Sequence, residues 1–416
     1  MSQHHDVLIV GAGQAGAQVA GELLDEGFPG TVGIVGAEDV PPYERPPLSK
    51  AFLSGETSAG SLLFRPADRW AAEGAELLLG TEVVAVDPAE HVVTTAGGAR
   101  LGYGHLVWAA GGRARTLPVP GANLTGVHYV RTLEDAERLK AQLATARRAV
   151  VIGGGFIGLE AAAAFAKAGL QVTVVEAMDR LLGRVTSPVV SEFFAQAHRE
   201  HKVDVIFGHG VAEITGSDGA VQGVALSNGQ EIPADIVVVG VGLVPNVEPI
   251  VRAGAAGPNG VDVDVSGRTT LPDVFAAGDC ANFANAYTGH ARMRLESVQN
   301  AVEQGRTVAR TILGTAQPAP AVPWFWSNQY DIKFKTMGIL TGHDTSIVRG
   351  DPSAGRFSVV YLHEGVVIAV DTLNNIRDYA QAKALIQSRT PVDPAAVADP
   401  AVQLKDLAAR RTADVA

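Results

Sequence analysis

The sequence has one cysteine, Cys280, in 416 residues. That excludes an internal disulfide, a CxxC dithiol couple and any metal site built on several thiolates. It also has no uninterrupted apolar run of the ~18 residues that a membrane-crossing helix needs. The opening residues, MSQHHD, lack the basic and apolar regions of a secretory signal, so a soluble, cytoplasmic protein is expected. Positive charge is in short supply: 33 Lys and Arg face 44 Asp and Glu, a formal net charge of −11 with His neutral. The molecule as a whole therefore repels nucleic acid and anionic lipid, and an acidic partner needs a local basic patch. Only 19% of residues are charged while 47% are hydrophobic, enough for large cores, and the length predicts two or three domains.

Glycine, by contrast, is plentiful, and it is organised. Two GxGxxG fingerprints start 142 residues apart, at Gly11 and Gly153, each behind a short apolar run and ahead of a helical pattern. In the first, Val7 to Val10 predicts a buried strand, Gly11, Gly13 and Gly16 the turn, and a helix runs to about Gly27, with a second strand over 31–36. In the second, AVVIGGGFIGLEAAAAFAKAGLQVTVVEA places Gly153, Gly155 and Gly158 at the turn and Glu176 at the end of the next strand. Further apolar runs end in glycine at 106–112, 236–246 and 273–280, as parallel strands do on reaching a ligand crevice.

The run at 273 follows the apparent completion of the second fold, so the chain is expected to return to its first domain. The Pro-rich stretch 317–324 predicts a linker. Alternating segments around KFKTMGIL, FSVVYL and VVIAVDTL predict an antiparallel sheet, followed by a helix over Ile376 to Gln387. A short helix is expected in the tail around AVQLKDLAARR. The expected fold is thus α/β: two Rossmann-like dinucleotide-binding domains, 1–112 with 247–322 and 113–246, plus a C-terminal α+β domain over 323–416.

The chemistry follows from close approach. A pyrophosphate must reach free N–H groups at a helix N-terminus, where side chains at those glycines would block it. Glu176, 18 residues beyond Gly158, is placed to accept from adenosine ribose hydroxyls and to repel a 2′-phosphate, which favours NADH. Arg180 and Arg184 stand close enough in sequence to leave the alternative open. In the first copy the equivalent strand end is Gly36, so Glu38 or Asp39 takes the acidic role, or neither does. Two such folds in one chain suit hydride passage between a nicotinamide and a flavin, and so imply a flavoprotein.

These segments, together with RPPLSKAFL (45–53), RTLEDAERL (131–139), AAGDCA (276–281), RLESVQNA (294–301) and PWFWSNQY (323–330), resemble a known family. It is the FAD- and NADH-dependent ferredoxin reductases that serve bacterial cytochrome P450s and Rieske-type dioxygenases. The resemblance implies that hydride passes from NADH to the FAD N5 and that single electrons then go to a [2Fe-2S] ferredoxin. It also implies that Lys50 lies by the flavin N5 edge paired with Glu160, both in electrostatic rather than acid–base roles. For FAD it implies contacts from Gly11, Gly13, Ala15, Gly16, Ala37, Glu38, Arg45, Pro46, Val83, Ala109, Gly111, Arg131, Asp279 and Val298. For NAD it implies Gly153, Gly155, Phe156, Ile157, Gly158, Glu176, Arg184 and Gly242, with Phe156 alternatively a flap over the flavin. Trp326 is implied on the flavin side near a ferredoxin-docking face that includes Arg65 and Arg306, or else it packs in an ordinary core.

At Ala110 the family commonly has threonine, which removes any hydroxyl contact there. Two other readings share much of this pattern. An NADH oxidase needs a reactive cysteine by the flavin, and the only cysteine lies in the GDC turn. A redox-sensing protein resembling apoptosis-inducing factor shares the Lys–Glu pair. A monomer is the expected state.

Overall fold

The computed structural model describes residues 3–257, 259–316 and 321–407. Residues 317–320 of the expected linker and the end of the expected tail helix lie outside them. The chain divides into two compact units, one of 1–45, 58–113 and 243–321, the other of 46–57, 114–242 and 322–416.

In the first unit the fully buried run Val7–Val10 lies in the strand Gln3–Val10, at the centre of a parallel array. Val32–Val35 and then Ala75–Leu78 pair on one side of it and Arg100–Trp108 on the other. Strand Arg100–Trp108 is used twice along its other edge. Its first half takes the antiparallel Val92–Thr95, which leads on to Val83–Asp87, and its second half takes the parallel Val274–Ala276. The chain does return to the first sheet, as the apolar run at 273 predicts. Helix Gln14–Asp25 buries Ala15, Gly16, Ala17, Ala20 and Gly21, a surface of small residues that lets helix Val298–Ile312 pack closely against it. Gly305 on the second helix sits where an added Cβ would fall 2.9 Å from the Ala15 carbonyl.

The second unit repeats the theme. Its parallel sheet orders Val203–Phe207, Gln171–Glu176, Arg148–Ile152, Ile236–Val239 and Val127–His128. Helix Phe156–Lys167 follows the central strand, and helix Leu133–Leu143 starts in a capping box between Thr132 and Asp135. A three-stranded antiparallel sheet, Val211–Ser217, Ala220–Leu226 and Glu231–Pro233, is an addition that periodicity did not reveal.

The same unit contains the five-stranded antiparallel sheet 324–373, in the order Trp324–Gln329, Ile332–Gly338, Val366–Leu373, Arg356–His363 and Thr345–Asp351. Its buried residues Phe334, Phe357, Val359 and Tyr361 share one core with Phe165, Leu181 and Phe194 of the nucleotide fold. Helix Ile376–Ser388 follows within a residue of expectation. Asp378 on that helix pairs with the equally buried Arg349 at 2.9 Å, and Ser358 and Asn375 also donate to it. Arg349 reaches on to the carbonyls of Val397, Asp399 and Val402 and so fastens the last described segment, including helix Pro394–Ala398, to the sheet.

Candidate functional site

Each fingerprint contains two glycines that the fold requires and one that it does not. Gly11, at φ +117°, would place a Cβ 2.2 Å from the Ala109 carbonyl oxygen, and Gly16 would place one 2.0 Å from that of Gly11. Gly13, between them, has nothing within 4 Å. In the second unit Gly153, at φ +106°, would meet the Gly240 carbonyl at 2.5 Å and Gly158 that of Gly153 at 2.2 Å, whereas Gly155 has nothing within 4 Å. Gly13 and Gly155 are the N-caps of the two 12-residue helices, and neither helix start has a side-chain cap. Open space before uncapped N–H groups is the cradle that a diphosphate fills, so the residues fit a dinucleotide at both turns.

Around the first cradle, Ala15 is buried, with its Cβ 3.0 Å from where one on Gly278 would lie. That contact seats the AAGDC turn against the first helix, where the Gly278 N–H donates to Gln304 (2.8 Å) and the Asp279 carbonyl accepts from Arg294 (2.8 Å). Ala109 donates its N–H to Val10, Gly111 is left-handed at φ +58°, and buried Val83 opens its strand. Ala37 is exposed, and Val298 is the first residue of a helix capped by Ser297. Glu38 is held from two sides, accepting from the Tyr43 hydroxyl at 2.7 Å and from Arg45. Cys280 is fully buried with its thiol pushed up to about 12 by burial, so it is not a thiolate nucleophile. That removes the oxidase chemistry that needs one.

In the second unit Glu176 ends its strand with both carboxylate oxygens engaged by backbone: one accepts from the Gly154 N–H (2.7 Å), the other from that of Met178 (2.8 Å). Each oxygen keeps a lone pair for a ribose hydroxyl. Arg180 is spent internally on the carbonyls of Thr186 and Gly183 and on the Ser191 hydroxyl. Arg184 is exposed with no side-chain bond among the described residues, which leaves it the free cation of that loop. Ile157, at the start of the helix, is 53% exposed, an apolar side chain presented beside the open turn. Phe156 packs on Phe325 and Phe334 at ring separations of 4.9 and 5.2 Å. Gly242 is left-handed at φ +111° beside Arg115, and the Arg131 N–H donates to Asp135 at the start of its helix.

The Lys50–Glu160 pair forms as expected. Pro46–Ser49 is a 3₁₀ turn that ends by presenting Lys50, whose Nζ lies 3.0 Å from Glu160 Oε1 and 5.7 Å from the Trp326 ring centre. Glu160 is 6% exposed, and burial raises its pKa against the opposing pull of Lys50 and two serines. Those serines were missed by sequence reasoning: Ser49 donates to Oε2 at 2.9 Å and Ser327 to Oε1 at 2.6 Å. Both sit inside motifs, PPLSK and WFWS; the available signal for Ser327 was a small polar residue ending an aromatic run in a strand, whereas Ser49, in a 3₁₀ turn, offered none. Strand alternation also separates the aromatic trio, with the Trp324 and Trp326 rings 5.5 Å apart and tilted by 36° on one face and Phe325 on the other.

The two arginines expected on a docking face are occupied. Arg65 lies over Trp70, paired with Glu73 and Asp25 and only 19% exposed; Arg306 is 38% exposed near Glu22 and Glu303, at 3.6 and 3.7 Å. Among the described residues no helix is long and apolar enough to cross a membrane, and no cluster of His, Cys, Asp or Glu could hold a metal ion.

Comparison with known proteins covers the whole chain. Residues 5–305 match the pyridine nucleotide-disulphide oxidoreductase family and residues 324–408 the reductase C-terminal family. The chain is 50% identical over 407 residues to the 5,5′-dehydrodivanillate O-demethylase ferredoxin reductase subunit of Sphingobium sp., covering 98% of this chain and 99% of that one. It is 41% identical to putidaredoxin reductase of Pseudomonas putida, covering 100% and 99%. The structure superposes on a crystal structure of the covalent putidaredoxin reductase–putidaredoxin complex with a TM-score of 0.94, at 41% identity over 99% of each chain. With two glycine cradles of one design and matches along its full length, the chain belongs to the pyridine nucleotide-disulphide oxidoreductase family.

Proposed function

We propose that the chain is an NADH-dependent ferredoxin reductase that supplies electrons to a [2Fe-2S] ferredoxin of a P450 or Rieske oxygenase system. The observation that carries the reading is the pair of cradles, each with its middle glycine facing open space, in a chain 50% identical throughout to a ferredoxin reductase subunit. The cofactors are FAD, at Gly11, Gly13 and Gly16, and NAD(H), at Gly153, Gly155 and Gly158. Bound flavin supplies the conversion of a two-electron hydride donor into a source of single electrons.

The chain's own residues bind, orient and neutralise. The uncapped N–H groups beyond Gly13 and Gly155 receive diphosphate charge. Glu176, fixed by two backbone N–H groups, selects a 2′-hydroxyl over a 2′-phosphate. Lys50 presents a positive charge that favours a developing anion, and Glu160 keeps that charge from standing unpaired in dry surroundings. Ser49 and Ser327 hold the carboxylate in place and favour its ionised form against the opposing effect of burial. Trp326 is proposed to line the route to the ferredoxin, whose docking rests on transient, steered contact rather than on a large interface. The protein acts as a monomer in the cytoplasm in this reading.

An anaerobic NADH titration followed by visible absorbance, then addition of a panel of [2Fe-2S] ferredoxins with cytochrome c as final acceptor, tests it. Bleaching at stoichiometric NADH with ferredoxin-dependent cytochrome reduction is expected. A long-lived NADH complex that reduces no ferredoxin would replace the reductase reading with the redox sensor.

A further inference from the structure

The hydrogen bonds that end on Glu160 do not begin at Ser327. Two residues along the same strand face, Gln329 lies with Nε2 3.2 Å from the Ser327 hydroxyl and Oε1 2.9 Å from His198 Nε2. His198 Nδ1 is 3.0 Å from the Tyr330 hydroxyl, and the Tyr330 ring stacks on His201 with centroids 3.6 Å apart. Ser327, Gln329 and His198 are 0%, 1% and 0% exposed. Ser327 and Gln329 are the two buried residues of their strand, and His198 lies on the face of helix Pro188–Glu200 that also buries Val190 and Phe194. Buried polar groups persist in a core when each has a partner. Here every link does.

The chemistry of the atoms fixes the direction of the chain. An ionised Glu160 can only accept, so the Ser327 O–H donates to it. The Ser327 oxygen then accepts from the Gln329 amide, whose carbonyl oxygen accepts from His198 Nε2–H. A neutral ring protonated at Nε2 leaves Nδ1 to accept from Tyr330 O–H. Burial, with His201 nearby, lowers the His198 pKa to about 4 against the pull of Gln329, which supplies that neutral ring. Every donor therefore points toward Glu160, and hydrogen bonds aligned in one sense polarise and strengthen one another. Lys50 is the charged group that faces Glu160, Ser49 and Ser327 being its other partners; Gln329, Tyr330 and His201 face His198.

We propose that His198 and Gln329 are positioning residues for the Lys50–Glu160 pair, acting through Ser327 to keep its O–H directed at the Glu160 carboxylate. The pair then keeps its charge and its geometry from behind, independently of what binds in front of it. The significance of the inference rests on the pair serving the proposed reaction, but its test does not involve turnover, so failure of either leaves the other standing.

The test is nuclear magnetic resonance on the flavin-bound protein. With ¹⁵N-labelled histidine, His198 is expected as the neutral Nε2–H tautomer between about pH 6 and pH 8. A ring protonated at Nδ1, or at both nitrogens, reverses or breaks the chain and overturns the proposal. With δ-¹³C-glutamate, and Glu160→Gln to assign the signal, Ser327→Ala is expected to raise the Glu160 midpoint by about one pH unit. Gln329→Met and His198→Phe should raise it by successively smaller steps. An unchanged midpoint in the folded Gln329→Met and His198→Phe variants makes the network mere packing. Should those variants fail to fold, the tautomer in the unsubstituted protein decides.

Discussion

At the scale of single residues, the glycines divide by what surrounds them, and substitution separates the two kinds. Gly13 is at φ −94° with nothing within 4 Å, so Gly13→Ala is expected to fold with unchanged circular dichroism. It should lose flavin affinity by ~10-fold or more, about 1.4 kcal/mol, in a fluorescence-monitored binding titration. Gly16→Ala drives a Cβ to within 2.0 Å of backbone and is expected to accumulate as insoluble protein. Retention of flavin by Gly13→Ala would mean that the open space is solvent and no more. Glu176→Gln keeps an acceptor for one of its two N–H partners while removing the charge. Its kcat/KM for NADH should fall by roughly 10-fold while that for NADPH holds or rises, and steady-state rates with both nucleotides measure this. The glycines and Glu176 were legible because fingerprint spacing is local. Ser49 and Ser327 were not, for they meet Glu160 across 111 and 167 residues.

At the scale of elements, strands whose burial follows a simple period were read from sequence, and those defined by partners were not. Val7–Val10 and the helix from Ile376 announced themselves through apolar runs and periodicity. The short strands Val127–His128 and Glu231–Pro233 exist because a neighbour pairs with them. The C-terminal sheet also holds a buried acid. Asp371, on strand Val366–Leu373, is 0% exposed and accepts from the Tyr361 hydroxyl at 2.6 Å, and burial raises its carboxyl to about 7 from 3.8. The folded protein thus keeps a proton that the unfolded chain releases near pH 4. This group's contribution is full below the unfolded pKa and is lost as pH rises through 7, an effect of up to about 4 kcal/mol. Asp371→Asn should therefore raise the urea midpoint relative to the parent at pH 8 and leave it nearly level at pH 4.5. A difference independent of pH would show that the carboxyl does not titrate in this window.

At the scale of the whole molecule, the C-terminal sheet is not an appendage. It shares a core with the second nucleotide fold, covering Phe194 and Phe165 with Phe334, Phe357 and Tyr361, and it brings Ser327 to Glu160. A chain ending at residue 321 is expected to lose cooperative unfolding of the second unit and to be cut by protease within 114–242. A soluble, protease-resistant product would show that the nucleotide fold closes its own core. The two Rossmann folds could be read from sequence because each begins with a contiguous strand–glycine turn–helix segment, although the first fold resumes only after the second has been made. The sharing of a core between 114–242 and 322–407 could not, because no spacing rule relates the two stretches.

The double use of strand Arg100–Trp108 sets a timetable for synthesis. Its second half pairs with Val274–Ala276, and 165 residues separate Trp108 from Val274. At ~5–20 residues per second, a ribosome needs about 8–30 s to deliver the missing strand. For that interval the nascent first unit carries an open, apolar sheet edge, the kind that recruits other chains. Helix Val298–Ile312, which covers the first fingerprint helix, arrives later still. The FAD fold therefore starts first and finishes after the NAD fold has been made, and codon choice between residues 109 and 312 bears on how much of the protein escapes aggregation.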